Sequence, residues 1–278
     1  MPKKSGRYDA RRIQLPTDLN AIFPYLMKGR NDSVVYYPLK ADVENLLKYI
    51  EEKKGTDKEI TFFQAVLLAL VKVMREFPEL NRYIIGRRLY ERYAVSLGFI
   101  AKRELSVEGS ETNVSVYVKN EDNREEIIDK IKGNIKVAKS DEVKEDDAIM
   151  GSLMKLPRFL LRFVIKMLET YDFYFDTPKF LRNGVDPLRC SVYVANLGSV
   201  GIDAPYHHLF EWGTCSMFMA IGILKPEPTI SEDMEISIRR VVEFKVTLDE
   251  RISDGYYFAR ALDRFKELLD TPTLLEEV

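Results

Sequence analysis

Residues 249–255 read Asp249-Glu250-Arg251-Ile252-Ser253-Asp254-Gly255, four charged side chains among seven positions, set between two strongly patterned segments. Upstream, Val242, Phe244, Val246 and Leu248 alternate with Glu243, Lys245 and Thr247, the period-two pattern of a half-exposed strand. Downstream, Phe258, Ala261, Leu262, Phe265, Leu268 and Leu269 fall at helical spacing, so a helix over about 254–269 buries one face until Pro272 stops it. The stretch is therefore a charged turn joining a strand to a helix. A carboxylate such as Glu250 there either ion-pairs at the turn or, if desolvated, titrates nearer neutrality and serves as a base. Asp254 just after the strand needs a partner if it is buried.

Outward from this turn, helices and strands interleave along the whole chain. Tyr36 to Ala41 reads as a strand, after which Asp42 caps a helix carrying Val43, Leu46, Leu47 and Ile50 on one side. Thr61 opens a helix running to about Phe77, ended by Pro78. It is apolar almost all round and so is expected to be buried. Strands are expected at 89–102, 114–118, 190–195 and 214–224. A helix from about Asn123 aligns Ile127, Ile128, Ile131 and Ile135. No G-x-G-x-x-G and no P-loop occurs, which removes support for a nucleotide-binding α/β fold. The pattern fits a mixed sheet covered by helices in a single domain over 1–278, with a polar arm at 1–12.

Composition narrows the function classes. With 42 basic and 44 acidic residues the net charge is −2, so nothing favours a nucleic-acid partner. The two cysteines, Cys190 and Cys215, lack C-x-x-C spacing and read as reduced, buried thiols rather than a disulfide. The polar, basic start of the chain has no apolar core of a secretory signal, and no apolar run reaches the ~18 residues of a bilayer span, so a cytoplasmic location is expected.

Four collinear stretches resemble the catalytic domain of the dihydrolipoyl acyltransferases of 2-oxo acid dehydrogenase complexes and chloramphenicol acetyltransferase. Residues 61–84, TFFQAVLLALVKVMREFPELNRYI, look like that family's buried helix ending in h-P-E-L-N. Residues 93–100, YAVSLGFI, are similar to its next strand, and 193–201, YVANLGSVG, to its T-I-S-N-L-G-x-x-G segment. Residues 249–255 resemble D-H-R-x-x-D-G, or H-H-x-x-x-D-G in chloramphenicol acetyltransferase. Together they span 61 to 269.

The resemblance implies an α/β two-layer sandwich of the CoA-dependent acyltransferase type. It also implies a homotrimer whose site lies in a channel shared by neighbouring subunits, with separate access for CoA or acyl-CoA and for a small acyl acceptor. No lipoyl group and no metal are expected. Carried over position by position, the family's general-base histidine becomes Glu250 and its oxyanion serine becomes Ala195. Asp254 is retained, and the resemblance pairs it with Arg11 or Arg12. Asn196 lies in the N-L-G segment that lines the substrate channel. An oxyanion donor is worth about 3–4 kcal/mol of barrier and a general base a further ~10²–10⁴-fold in rate. Conventional CoA-dependent transfer is therefore not expected. The alternative is an active enzyme with a rearranged site that uses Glu250, His207 or His208.

His207 and His208 are the only histidines. Adjacent residues of a strand point to opposite sides, so the two are not expected to point the same way. No third ligand is spaced for zinc. A structural role and a channel role both stay open.

One segment, 150–182, has no counterpart in these motifs. Lys155, Arg158, Arg162 and Lys166 share a narrow helical stripe among apolar neighbours, so a helix from about Pro157 to about Tyr171 is expected to turn that stripe outward. Its remaining residues are expected to press onto the domain. Burial, a lid over the acceptor channel and contact with an anionic membrane surface are the three readings left open.

Overall fold

The computed structural model describes residues 6–14, 17–102, 111–140, 151, 153–182, 186–230 and 233–278. Six strands form a mixed sheet in the order β2-β9-β8-β7-β5-β6: β2 (Val34–Asp42), β5 (Val95–Lys102), β6 (Glu111–Val118), β7 (Val192–Asn196), β8 (Met217–Ile230) and β9 (Ile236–Asp249). β7 runs parallel to both β5 and β8, and the other pairs are antiparallel. A second, antiparallel sheet has the order β1-β4-β3: β1 (Ala10–Ile13), β3 (Arg82–Ile85) and β4 (Arg88–Arg92).

Alternation along the strands decides what each side of the large sheet faces. Val192 and Val194, Met217, Met219 and Ile221, and Val242, Phe244, Val246 and Leu248 all enter one core, packed with the helices. Those helices are α2 (Glu44–Lys53), α3 (Phe62–Glu76), α4 (Arg124–Lys139) and α6 (Gly255–Asp270). α3 is buried over Gln64–Met74 and opens with a capping box between Thr61 and Gln64. α6 buries the six residues its spacing singled out. The opposite side carries Tyr193, Phe218 and Ala220 in a smaller cluster with Ala204 and Leu209.

Several expectations are corrected here. The stretch expected as one strand over 89–102 is two, β4 and β5, in different sheets, because the chain turns at Tyr93–Ala94. The sequence reading missed β3 and helix α1 (Asp18–Leu26), the latter with Pro24 inside it. The N-terminal arm is not a solvated tail from residue 7 onward. Arg7 is buried, and β1 pairs with β4. Residues 1–5 of that arm lie outside the described residues.

The expected helix of the 150–182 segment exists as α5 (Arg158–Tyr174), with Lys155, Arg158, Arg162 and Lys166 outward as predicted. Its apolar residues do not all press onto the domain. Phe159, Phe163, Met167, Tyr171 and Tyr174 are exposed, and Asp172 is the helix's buried residue. Residues 150 and 152 are outside the described set.

Candidate functional site

The charged turn at 249–255 is held by its own first and third residues. Asp249 is fully buried, and Arg251 donates to it from Nε at 2.8 Å and from Nη2 at 2.6 Å. Asp249 also accepts from Ser33 Oγ, while Arg251 Nη1 donates to the Met27 carbonyl. A buried pair of this kind persists because each charge satisfies the other, with further hydrogen bonds around it. Glu250, between them, is turned outward and exposed. Its backbone N–H donates to Ser33 O, and no group among the described residues engages its carboxylate.

Asp254 is exposed and caps α6, accepting from Tyr257 N at 2.9 Å. The expected ion pair with Arg11 or Arg12 is absent within the chain. Arg11 instead meets Glu91 across β1 and β4, and Arg12 is exposed on β1. The cap satisfies the carboxylate without a cation.

On the side of the large sheet that carries Tyr193 and Phe218, cross-strand register lines up two rows of side chains. Tyr36, Thr247, Phe218 and Tyr193 form one row, and Pro38, Lys245, Ala220 and Ala195 the next. His207 stacks on Phe218, with ring centroids 3.8 Å apart and an interplanar angle of 5°. Thr247 Oγ1 donates to the His207 carbonyl at 2.5 Å, which fixes the segment over this row. The His208 ring stacks on His207 at 4.7 Å, so the two imidazoles do lie side by side. The expectation that they diverge fails because 202–210 is irregular chain, not strand.

The His207 Nδ1 lies 2.7 Å from the His208 carbonyl and the His208 Nδ1 lies 2.8 Å from the Leu209 carbonyl. A carbonyl only accepts, so each Nδ1 carries the proton and each Nε2 keeps its lone pair in the neutral ring. Burial lowers the pKa of His207, which favours that neutral form.

The rows separate the residues that the sequence grouped. Ala195 and the Phe218 under His207 are one row and one strand apart. Glu250 lies five residues beyond Lys245 of the Ala195 row, roughly 16 Å at about 3.3 Å per residue. The register thus keeps Glu250 apart from Ala195 within the chain, with His207 over the Phe218–Thr247 row that lies between them. Asn196 closes β7 and accepts from Ser199 Oγ through its carbonyl. The turn after it requires Gly198, because a Cβ there would lie 2.3 Å from the Gly222 carbonyl of β8.

A cavity of about 490 Å³ opens beside the motif turn, walled by Lys28, Arg30, Arg87, Lys166, Trp212 and Arg251 among others. Arg30 is buried, donates to the carbonyls of Ile84, Phe210, Glu211 and Gly213, and has its pKa lowered by that burial. Glu250, Ala195 and both histidines lie outside the lining of this cavity. Among the described residues, no group of three or more His, Cys, Asp or Glu side chains is arranged to hold a metal ion.

Residues 189–276 match the family model for the 2-oxoacid dehydrogenases acyltransferase catalytic domain. No curated protein matches the sequence. Among solved structures, a probable dihydrolipoamide acetyltransferase from Listeria monocytogenes superposes with a TM-score of 0.61 at 15% identity, covering 93% of this chain and 94% of that one. Dihydrolipoamide acetyltransferase (E2p) of Azotobacter vinelandii gives 0.55 at 14% identity over 95% and 93%. Chloramphenicol acetyltransferase gives 0.51 at 11% over 94% and 99%. This is the acyltransferase fold of the 2-oxo acid dehydrogenase complexes. In the Azotobacter protein, a serine, a histidine and, four residues on, an asparagine are the residues investigated for their role in the catalytic mechanism.

Sequence reasoning missed the Lys245–Glu243 pair at 2.8 Å, whose ammonium lies 4.8 Å over the Tyr206 ring. It also missed Tyr36, which meets Tyr206 edge-on at 5.6 Å. The alternation of Glu243, Lys245 and Thr247 did signal which side of the sheet they occupy. The covering by 202–210 is a tertiary matter with no local signature.

Proposed function

We propose that the chain is a relative of the dihydrolipoyl acyltransferase catalytic domain that does not perform conventional CoA-dependent acyl transfer. The observation that carries this reading is the pair Glu250 and Ala195. A solvent-exposed carboxylate that no neighbouring group desolvates is a weak base for a thiol or alcohol. A methyl side chain at 195 donates nothing to an oxyanion. Register keeps the two positions apart within one chain, so their meeting requires a second copy, and a homotrimer with a site between subunits fits that need. Exposed Tyr36, Val200, Ile202 and Tyr206 supply apolar surface for such a contact. The ligand class is a small acyl acceptor or acyl-CoA, in a cytoplasmic setting.

A second reading, an active enzyme with a displaced base, is favoured by one observation. The His207 ring lies over Phe218, in the row next to that of Ala195, with Nδ1 tied to a carbonyl, which leaves Nε2 to accept a proton.

Acetyl-CoA consumption with dihydrolipoamide or chloramphenicol as acceptor separates the two. The first reading expects turnover at background, with measurable activity gained in Glu250→His combined with Ala195→Ser. Robust turnover in the native chain that is lost in His207→Ala establishes the second.

A further inference from the structure

Helix α5 carries a largely exposed apolar stripe. Phe159, Phe163, Met167 and Tyr174 are 77%, 60%, 56% and 66% exposed. Their spacing places them on one stripe, roughly 22 Å long at about 1.5 Å rise per residue. Arg158, Arg162 and Lys166 form the stripe beside it, and Glu169 is the one acidic side chain on the exposed arc. Leu160, Leu161, Val164, Ile165 and Leu168 turn toward the domain and are only half-buried. The helix is fastened near its C-terminal end, where Asp172 is clamped between Arg7 and Arg189. Met154, Phe175 and Phe180 continue the exposed apolar patch at either end.

A contiguous apolar stripe of this size demands an apolar cover, and the stripe of cations beside it demands anions. A folded protein surface seated on Phe159 and Phe163 has also to pair Arg158 and Arg162 at defined points. A bilayer with acidic lipids meets both demands without a fixed geometry. Its acyl region takes the rings, and long basic side chains reach the headgroups from the same helix. Charge supports this choice. Residues 153–182 carry six basic and three acidic residues in a chain whose net charge is −2. Asp172 is engaged by Arg7 and Arg189 from outside the segment, Asp176 pairs with Arg182 and Glu169 with Lys166, and Lys155, Arg158, Arg162 and Lys179 have no ion pair among the described residues. No described helix is long and apolar enough to cross a membrane, so α5 lies along the interface.

We infer that α5 docks the protein on anionic membrane surfaces, with Phe159, Phe163, Met167 and Tyr174 inserted and Arg158, Arg162 and Lys166 at the headgroups. This role is independent of whether acyl transfer occurs.

The test is flotation of the full chain with phosphatidylcholine vesicles, with and without phosphatidylserine. The chain is expected to float with the acidic vesicles and to release at high salt. Phe163→Ser is expected to weaken binding at least tenfold, and Phe163→Leu to retain it. Arg158→Glu with Arg162→Glu is expected to weaken it further, since each cation near an acidic surface is worth about fivefold. All three positions are exposed, so circular dichroism and the thermal midpoint are expected to stay unchanged. Failure of the native chain to float overturns the proposal, and so does flotation indifferent to these substitutions. If Phe163→Ser instead dissociates an oligomer in lipid-free light scattering, the stripe belongs to a second copy of the chain and the membrane role is overturned.

Discussion

At the scale of single residues, the motif turn depends on Asp249 and Arg251, not on Asp254. Removing Asp249 strands a buried guanidinium, and Asp249→Ala is expected to cost about 3–5 kcal/mol in urea unfolding. Asp254→Ala removes only a helix cap and is expected to cost about 0.5–2 kcal/mol. Equal losses in the two variants would show that the buried pair is not what holds the turn. His207 makes a pH prediction. Its folded pKa lies below the unfolded value near 6.5 because burial penalises the charged ring. The unfolded chain therefore takes up the proton first as pH drops. The contribution of His207 is fully present above about pH 6.5 and is lost as pH falls through the lowered folded pKa. Imidazole NMR titration is expected to place His207 below the free-histidine range. A normal or raised value contradicts the stacking seen on Phe218.

At the scale of elements, close backbone approach sets the turn that follows β7. Gly198→Ala drives a methyl against the Gly222 carbonyl on the neighbouring strand, where no flexible side chain can yield. A destabilisation of about 1–3 kcal/mol is expected from such overpacking, read as a lowered thermal midpoint. The same turn carries the N-L-G pattern that signalled the family resemblance, so this part of the motif has a structural reason independent of chemistry. Helix α5 teaches the opposite lesson. Its limits were read nearly correctly from periodicity, yet its apolar stripe does not face the domain. An amphipathic pattern states that a helix has an apolar side and says nothing about which surface covers it.

At the scale of the whole molecule, the decisive fact is the separation of Ala195 and Glu250 along the sheet. A site containing both has to form between copies. Light scattering is expected to give three times the 32.3 kDa chain mass, with Tyr36 and Tyr206 protected from solvent in the assembly. A stable monomer removes the shared site and leaves the face around His207 as a surface of one chain.

The sequence by itself determined the buried α3 with its cap, the alternation of β9, the six-residue face of α6 and the order of the four motif stretches. Each is written in residues adjacent in the chain, where spacing alone dictates which side of a helix or strand is apolar. The resemblance of those stretches also carries the expectation that Glu250 and Ala195 stand where the family has a base and an oxyanion donor. Tertiary structure alone decided that Arg11 meets Glu91 and not Asp254, because the partner of a charge is chosen among segments about 80 residues away in sequence, whereas the Asp254 cap on Tyr257 N is local to the turn. It alone laid His207 and His208 together over Phe218, since an irregular segment takes its shape from the surface beneath it. And it alone left α5 with its aromatic stripe uncovered, because burial depends on the whole arrangement of neighbours and not on the pattern of one helix.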